Sequence, residues 1–166
     1  MLIRHGLEIV FLDGSELLSV LGYSVWRDCF ISSLVYVVFF SWLRKHCGGW
    51  HCPTKTACFV MYWIMYLSFC RLLFMQFCLP LHFLLIISIL YLAGSAPVQH
   101  RLNPMSAEEF TYNRHRTWFV LFTGTLLYVL SAEMRMPVLF AFIYNTFMCF
   151  ILKHSKNYLP GACQWE

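Results

Sequence analysis

The sequence predicts an all-α protein, a polytopic bundle of about six transmembrane helices of which the first is only weakly hydrophobic. Hydrophobic residues make up 60% of the 166 residues and charged residues only 12%, whereas a soluble domain carries roughly a quarter of its residues as charges. The apolar residues form runs suited to crossing about 30 Å of hydrocarbon. We therefore expect the protein to fold in a lipid membrane.

Four apolar segments are clear and two are weaker. The clear segments are residues 29–43, 58–79, 81–96 and 117–132. One weaker segment, residues 5–22, contains acidic side chains that are costly against lipid. The other, residues 136–152, is apolar but opens with Pro137, a residue tolerated in the first turn of a helix.

The distribution of basic residues favours a cytoplasmic N-terminus. In that orientation three of the 12 basic residues lie outside: Arg27, Arg71 and Arg135. The remainder lie inside: Arg4, Arg44, Lys45, Lys55, Arg101, Arg114, Arg116, Lys153 and Lys156. The positive-inside rule then assigns the polar loops 44–57 and 97–116 to the cytoplasm. Loop 44–57 stays inside whether the chain has five spans or six.

Composition disfavours nucleic-acid binding and a disulfide framework. The net charge is +4, and no run of Lys and Arg is interleaved with aromatic residues. Five of the eight cysteines lie in or beside apolar runs, where Cys acts as a small buried hydrophobe: Cys29, Cys58, Cys70, Cys78 and Cys149. We expect no nucleic-acid partner and no cofactor.

Residues 44–58, between two apolar segments, are the chemically richest part of the chain. Gly48-Gly49 allow backbone conformations closed to other residues. Pro53 discourages a helix from running through this loop. Thr54 or Thr56 is a suitable cap for the helix that enters the membrane next.

Cys58 and His51 are one candidate for a Cys–His catalytic pair. Cys58 would lie in the first turn of the new helix, where the positive end of the helix dipole favours a thiolate. A nearby histidine accepts the thiol proton in a Cys–His nucleophilic pair. On one continuous helix the two residues would be about 10.5 Å apart along the axis. The breaks in the loop must therefore let His51 fold back over the helix start.

Other interpretations of the loop remain open. Cys47 and Cys52 are alternative nucleophiles, although Cys52 is adjacent to His51 and the two side chains point apart in most conformations. The set Cys47, His51, Cys52 and Cys58 has the residue types of a zinc site, but it lacks a Cys-x2-Cys pair, so we expect no metal. Three other histidines are expected to be solvated loop residues: His46, His100 and His115. The mixed-charge loop with Glu108, Glu109, Arg114 and Arg116 is expected to be a solvated surface, with a docking surface as the alternative.

Three stretches of the sequence resemble the accessory gene regulator B (AgrB) family. The first is Arg44-x3-Gly48-Gly49-x-His51-x6-Cys58, between two apolar segments. The second, Ala96-Pro97-Val98-Gln99-His100-x2-Asn103-Pro104, is similar to the family's Ala-Pro-Val-Glu-His-x2-Lys-Pro. The third, Gly6-Leu7-Glu8-Ile9, is similar to the start of the family's first membrane segment. The stretches follow the family's order over nearly the whole chain.

The resemblance implies a membrane cysteine peptidase that processes an AgrD-like precursor peptide for quorum sensing. Cys58 would be the nucleophile and His51 its base, with Arg44, Gly48 and Gly49 in supporting or substrate-binding roles. A thioester with the enzyme would form, and a Cys or Ser of the bound peptide would close a thiolactone or lactone ring.

The resemblance also implies a single integral domain over residues 1–166 in the bacterial plasma membrane. Its catalytic loop would face the cytoplasm, and a homodimer is compatible with it. The alternative is a non-enzymatic membrane protein, either a small transporter subunit or a degenerate member of the family. A reactive thiolate at Cys58 distinguishes the enzyme from that alternative.

Overall fold

The computed structural model describes residues 14–15, 17–48, 54–74, 81–100, 104–156 and 158–159. The helices are α1 (Leu17–Trp26), α2 (Phe30–Cys47), α3 (Lys55–Phe74), α4 (Leu81–Ser95), α5 (Ala107–Leu130) and α6 (Arg135–Lys153). Two short strands, β1 (Gln99–His100) and β2 (Tyr158–Leu159), pair antiparallel. The predicted all-α class is confirmed, and Pro137 lies in the first turn of α6 as expected.

The direction of the helices alternates along the chain. At one end of the bundle, Lys153 Nζ donates to Ser95 Oγ across 3.4 Å, which joins the ends of α6 and α4. At the opposite end, the Tyr128 hydroxyl of α5 lies 3.1 Å from Nδ1 of His82 in α4. We call the first the inner end and the second the outer end. The ends of α4 and α6 and the start of α5 therefore share the inner end.

The end of α2 lies at the inner end too, since the Cys47 carbonyl accepts from the Val98 N–H just after α4. The start of α3 also lies there, because Ser33 near the start of α2 contacts Tyr66 in the second half of α3.

Helix α6 is the centre of the bundle. It packs against α2, α4, α5 and α3, and its Phe142 side chain is fully buried. A Cβ atom added at Gly124 of α5 would lie 2.6 Å from the Phe142 ring. The lack of a side chain at Gly124 thus allows α5 and α6 to approach closely.

Among the described residues, two helices are long and apolar enough to cross a membrane by length and composition: Thr56–Leu73 of α3 and Arg135–Lys153 of α6. Of the residues in the α6 segment, 50% are buried inside the bundle, compared with 22% of those in the α3 segment. The shorter helices Leu17–Trp26 and His82–Ser95 are also apolar. The number of spans, about six, stays a prediction.

Helix α2 is longer than predicted. The expected loop began at Arg44, whereas the last helical residue is Cys47 and Gly48 is the C-cap. Basic side chains in a last turn interact favourably with the helix C-terminus, and α2 has three there.

Because α2 continues past residue 46, the expectation that His46 is a solvated loop residue is wrong. His46 is 6% exposed, and its Nδ1 donates to Oδ1 of Asn113 in α5 (2.9 Å).

Helix α5 begins at Ala107, ten residues before the apolar segment predicted from residue 117. The Ser106 hydroxyl accepts from the Glu109 N–H (3.2 Å), and the Glu109 carboxylate accepts from the Ser106 N–H (2.9 Å). This capping box starts the helix. The charged residues expected in a loop are therefore helical: Glu108, Glu109, Arg114 and Arg116.

Candidate functional site

Cys58 lies at the capped start of α3. The Thr54 hydroxyl accepts from the Ala57 N–H (3.2 Å), which is the bond of a helix N-cap. The Cys58 N–H donates to the Thr54 carbonyl (3.1 Å) and so closes the first turn of the helix. Of the two threonines predicted as caps, Thr54 takes that role. The Cys58 side chain is half-buried at the inner end of the bundle.

Gly48 joins the end of α2 to the segment that follows α4. It has a φ of +70° and forms a parallel bridge with Val98. The Val98 N–H donates to the Cys47 carbonyl over 2.8 Å. A Cβ atom on Gly48 would lie 2.3 Å from the Val98 carbonyl oxygen. Only glycine fits here, both because of the backbone conformation and because of this close approach.

The contact at Gly48 brings together two of the three stretches that carry the family resemblance. Residues 96–99 are buried, and the Ala96–Pro97 peptide bond is cis. The Gln99 side chain is 1% exposed, and its Oε1 accepts from the Met105 N–H (3.1 Å). Sequence order alone did not reveal this meeting, because about fifty residues separate the two stretches along the chain.

Cys47, one of the alternative nucleophiles, is fully buried. Its thiol lies 3.6 Å from the Thr117 hydroxyl, and the Cys149 thiol lies 3.8 Å from the Cys47 carbonyl oxygen. Cys47 follows the apolar segment 29–43, and burial raises the pKa of its thiol well above the usual range. A buried neutral thiol is a poor nucleophile, so this geometry disfavours Cys47 as the reacting residue.

Arg44 lies on the last turn of α2, one turn before Gly48. Its side chain is half-buried. The structure thus brings Arg44, Gly48 and Cys58 to the same end of the bundle, within or directly beside the loop that joins α2 to α3.

The remaining predicted residues of the loop, Gly49, His51 and Cys52, lie outside the described residues. The Cys58–His51 pair accordingly stays a prediction. Within the described part of the chain, no three His, Cys, Asp or Glu side chains group in a way suited to a metal ion. Two of the four residues with the types of a zinc site, His51 and Cys52, are not covered by that statement.

Comparison with curated proteins and with solved structures gave no match. The model of the accessory gene regulator B family matches residues 1–154. The matched region includes all three stretches that resemble the family, and β2 follows it. The match covers far more than half of the chain, so the protein belongs to the accessory gene regulator B family.

Proposed function

We propose that the protein is a membrane-embedded cysteine endopeptidase that cleaves an AgrD-like precursor and promotes its cyclisation. Membership of the family implies a part in processing the autoinducing peptide of agr quorum sensing, with an AgrD-type precursor as its partner. The observation that carries the finer proposal is the position of Cys58. It stands at the capped start of α3, beside the loop that Gly48 anchors to Val98.

In the proposed reaction, His51 accepts the thiol proton of Cys58. The sulfur then attacks a carbonyl carbon in the C-terminal part of the precursor. The peptide bond breaks, a thioester to Cys58 forms, and the C-terminal tail leaves as an amine that receives the proton from His51. A Cys or Ser side chain of the bound peptide next attacks the thioester, which releases the ring as a thiolactone or lactone and restores the Cys58 thiol.

Cyclisation instead of hydrolysis requires that water be kept from the thioester. The half-buried position of Cys58 supports this requirement, since the residue is neither in the core nor on an open surface. The N–H groups of a first helical turn also favour negative charge near a side chain at the helix start. Both properties suit a nucleophilic thiolate that must react with a peptide before it reacts with water.

The supporting residues have distinct proposed roles. Gly48 fixes where the catalytic loop leaves α2, and Gly49 keeps the supporting or substrate-binding role that the family resemblance implies. Arg44 supplies a positive charge for the acidic part of the precursor or for the oxyanion of the tetrahedral intermediate. Its proximity to the Gly48 turn supports either use, since the charge lies at the same end of the bundle as Cys58.

The proposed location is the bacterial plasma membrane, with several spans and the inner end in the cytoplasm. The outside of the bundle carries large apolar side chains, including Leu18 (72% exposed), Leu90 (68%) and Phe122 (68%), and such a surface is suited to lipid. The alternating helix directions support a multi-pass topology. Because α3 is the less buried of the two apolar helices, its open face would be available to lipid or to a second copy in a homodimer.

The proposal is tested by co-expressing the protein with an AgrD-like precursor encoded nearby and following the peptide by mass spectrometry. Wild type, Cys58→Ala and Cys58→Ser are compared with Cys29→Ala, a matched control at the outer end of α2. The covalent intermediate is sought as a mass increase on the intact protein that hydroxylamine removes. His51→Ala should slow processing by about 10²- to 10⁴-fold if it acts as the base.

Processing by wild type and by Cys29→Ala, lost in Cys58→Ala, would support the proposed nucleophile and reaction together. Continued processing by Cys58→Ala would exclude Cys58 as the nucleophile. No processing by a folded wild-type protein that is co-expressed with an intact precursor would favour the non-enzymatic alternative.

A further inference from the structure

The strand β1 has two edges, and they are used differently. The Val98 N–H, just before β1, donates to Cys47 at the end of α2. Successive residues of a strand direct their backbone groups to opposite sides, so the backbone of Gln99 faces away from α2. On that second side β1 meets β2, where Gln99 pairs with Leu159 and His100 pairs with Tyr158.

The segment that covers this second edge lies outside the region that matches the family, since β2 follows residue 154. Leu159 is followed in the sequence by Pro160, and a residue before proline favours extended backbone. In the described part of the chain the pairing is two residues long and supplies few hydrogen bonds, so displacing β2 would break few hydrogen bonds.

β1 has contacts in addition to its pairing with β2. On one side β1 is joined to Gly48 through Val98. In addition, Oε1 of the buried Gln99 side chain accepts from the Met105 N–H. A strand held in this way keeps its conformation when its neighbour leaves, and an uncovered strand edge takes up extended peptide segments.

We infer that the edge of β1 that now faces β2 is a docking edge for an extended segment of the precursor, which pairs with Gln99 and His100 in place of β2. The inference rests on the proposed function, because it takes the precursor as the ligand. A peptide on this edge would lie one strand beyond β1, about 10 Å from Gly48 at a strand spacing of about 4.8 Å. Gly48 begins the connection that leads to Cys58.

The charge of the inner end indicates the chemistry of the docked segment. Among the described residues, five exposed basic side chains lie on the helices at this end or directly after them: Lys45, Arg114, Arg116, Lys153 and Lys156. The exposed acidic side chains in the described part of the same region are those of Glu108 and Glu109. This positive excess, with two lysines on the approach to β2, favours an acidic peptide segment.

The test compares Leu159→Pro with Leu159→Ala, both in the Cys58→Ala background so that the precursor stays intact. Proline removes the Leu159 N–H that faces Gln99, whereas alanine keeps it. A fluorescent precursor peptide that carries a photoreactive diazirine is titrated into the purified protein in detergent. Because Leu159→Pro weakens the competing strand, we expect its Kd to be about three- to tenfold lower than that of Leu159→Ala. Crosslinks should map to residues 98–100.

Equal or weaker binding by Leu159→Pro, at an unchanged melting temperature, would overturn the inference, as would crosslinks that avoid residues 98–100. If Leu159→Pro does not fold, a variant ending at Lys156 replaces it. If that also fails, the crosslink map of the Cys58→Ala protein alone decides between the same two outcomes. Failure of the proposed function has a different signature: Cys58→Ala would still process the precursor, whatever the position of the crosslinks.

Discussion

At the inner end of the bundle some segments are joined through backbone groups, whereas the contacts between helices that the structure describes in the outer half involve side chains. The inner contacts include the Val98 N–H on the Cys47 carbonyl and the pairing of β1 with β2. In the outer half, the Ser33 and Tyr66 hydroxyls lie 2.8 Å apart, and the Tyr36 ring stacks on Phe69 with centroids 4.5 Å apart.

The two kinds of contact place different demands on the sequence. A backbone contact depends on the chain direction and on the space around the main chain, so the residue type matters only where a side chain would obstruct it. A side-chain contact depends on one functional group and survives replacements of similar shape. The inner end, which holds the proposed nucleophile, should therefore be sensitive at its glycine and the outer half sensitive at single hydroxyl groups.

The largest expected effect is that of Gly48→Ala. Alanine would have to adopt a φ of +70° and would direct its Cβ at the Val98 carbonyl oxygen, so we expect a loss of about 2–4 kcal/mol in unfolding free energy. Gly94→Ala in α4 is the matched control, because nothing lies within 4 Å of its added Cβ. It should be neutral or stabilising by about 0.5–1 kcal/mol. Thermal unfolding in detergent measures both, and equal melting temperatures would contradict the requirement for glycine at position 48.

An intermediate effect is expected for the reaction of cysteines with a maleimide. The half-buried Cys58 should react at least about tenfold faster than the fully buried Cys47. Burial raises the pKa of the Cys47 thiol, so this thiol stays protonated at pH values at which an ordinary cysteine ionises. An increase from pH 7 to pH 9 should therefore not make Cys47 reactive. Peptide mapping of the labelled protein measures the two rates. Similar rates would mean that the inner end opens in solution.

The smallest effect concerns two tyrosines of the outer half. Tyr66→Phe removes the hydroxyl bonded to Ser33 and should cost about 1 kcal/mol. The buried Tyr36 hydroxyl has no hydrogen-bond partner in the part of the chain that the structure describes, so Tyr36→Phe should be neutral or slightly stabilising. The same unfolding assay ranks the pair. A larger loss for Tyr36→Phe would indicate that its hydroxyl contributes a contact after all.

Local features of the sequence predicted much of the helical framework. The apolar segment 81–96 corresponds closely to α4, and Thr54 was one of two residues expected to cap α3. The early start of α5 was also predictable, because Ser106 and Glu109 have the spacing of a capping box. The continuation of α2 through His46 was missed because the end of the apolar segment was taken as the end of the helix. Hydropathy indicates which residues suit the membrane, whereas a helix continues as long as its backbone hydrogen bonds continue.

The contacts that shape the candidate site were beyond such reasoning. Gly48 meets Val98, His46 meets Asn113, and Gln99 meets Leu159. In each pair about fifty or more residues separate the partners, so neither helical periodicity nor capping rules relate them. Glycine at position 48 indicated conformational freedom, but its close neighbour emerged only from the packing of α2 beside the segment after α4.

The length of α5 connects the inner end to the thickness of the membrane. Its 24 residues make a rod of about 36 Å at 1.5 Å per residue, longer than a hydrocarbon layer of about 30 Å. In the proposed topology, the part before residue 117 projects into the cytoplasm as a rigid arm, and Asn113 on that arm holds His46 at the end of α2. Helices adapt to thinner or thicker bilayers by tilting, and a tilt of α5 would displace this arm the most. Lipid composition would therefore act on the end of α2, and through Gly48 on the loop that leads to Cys58.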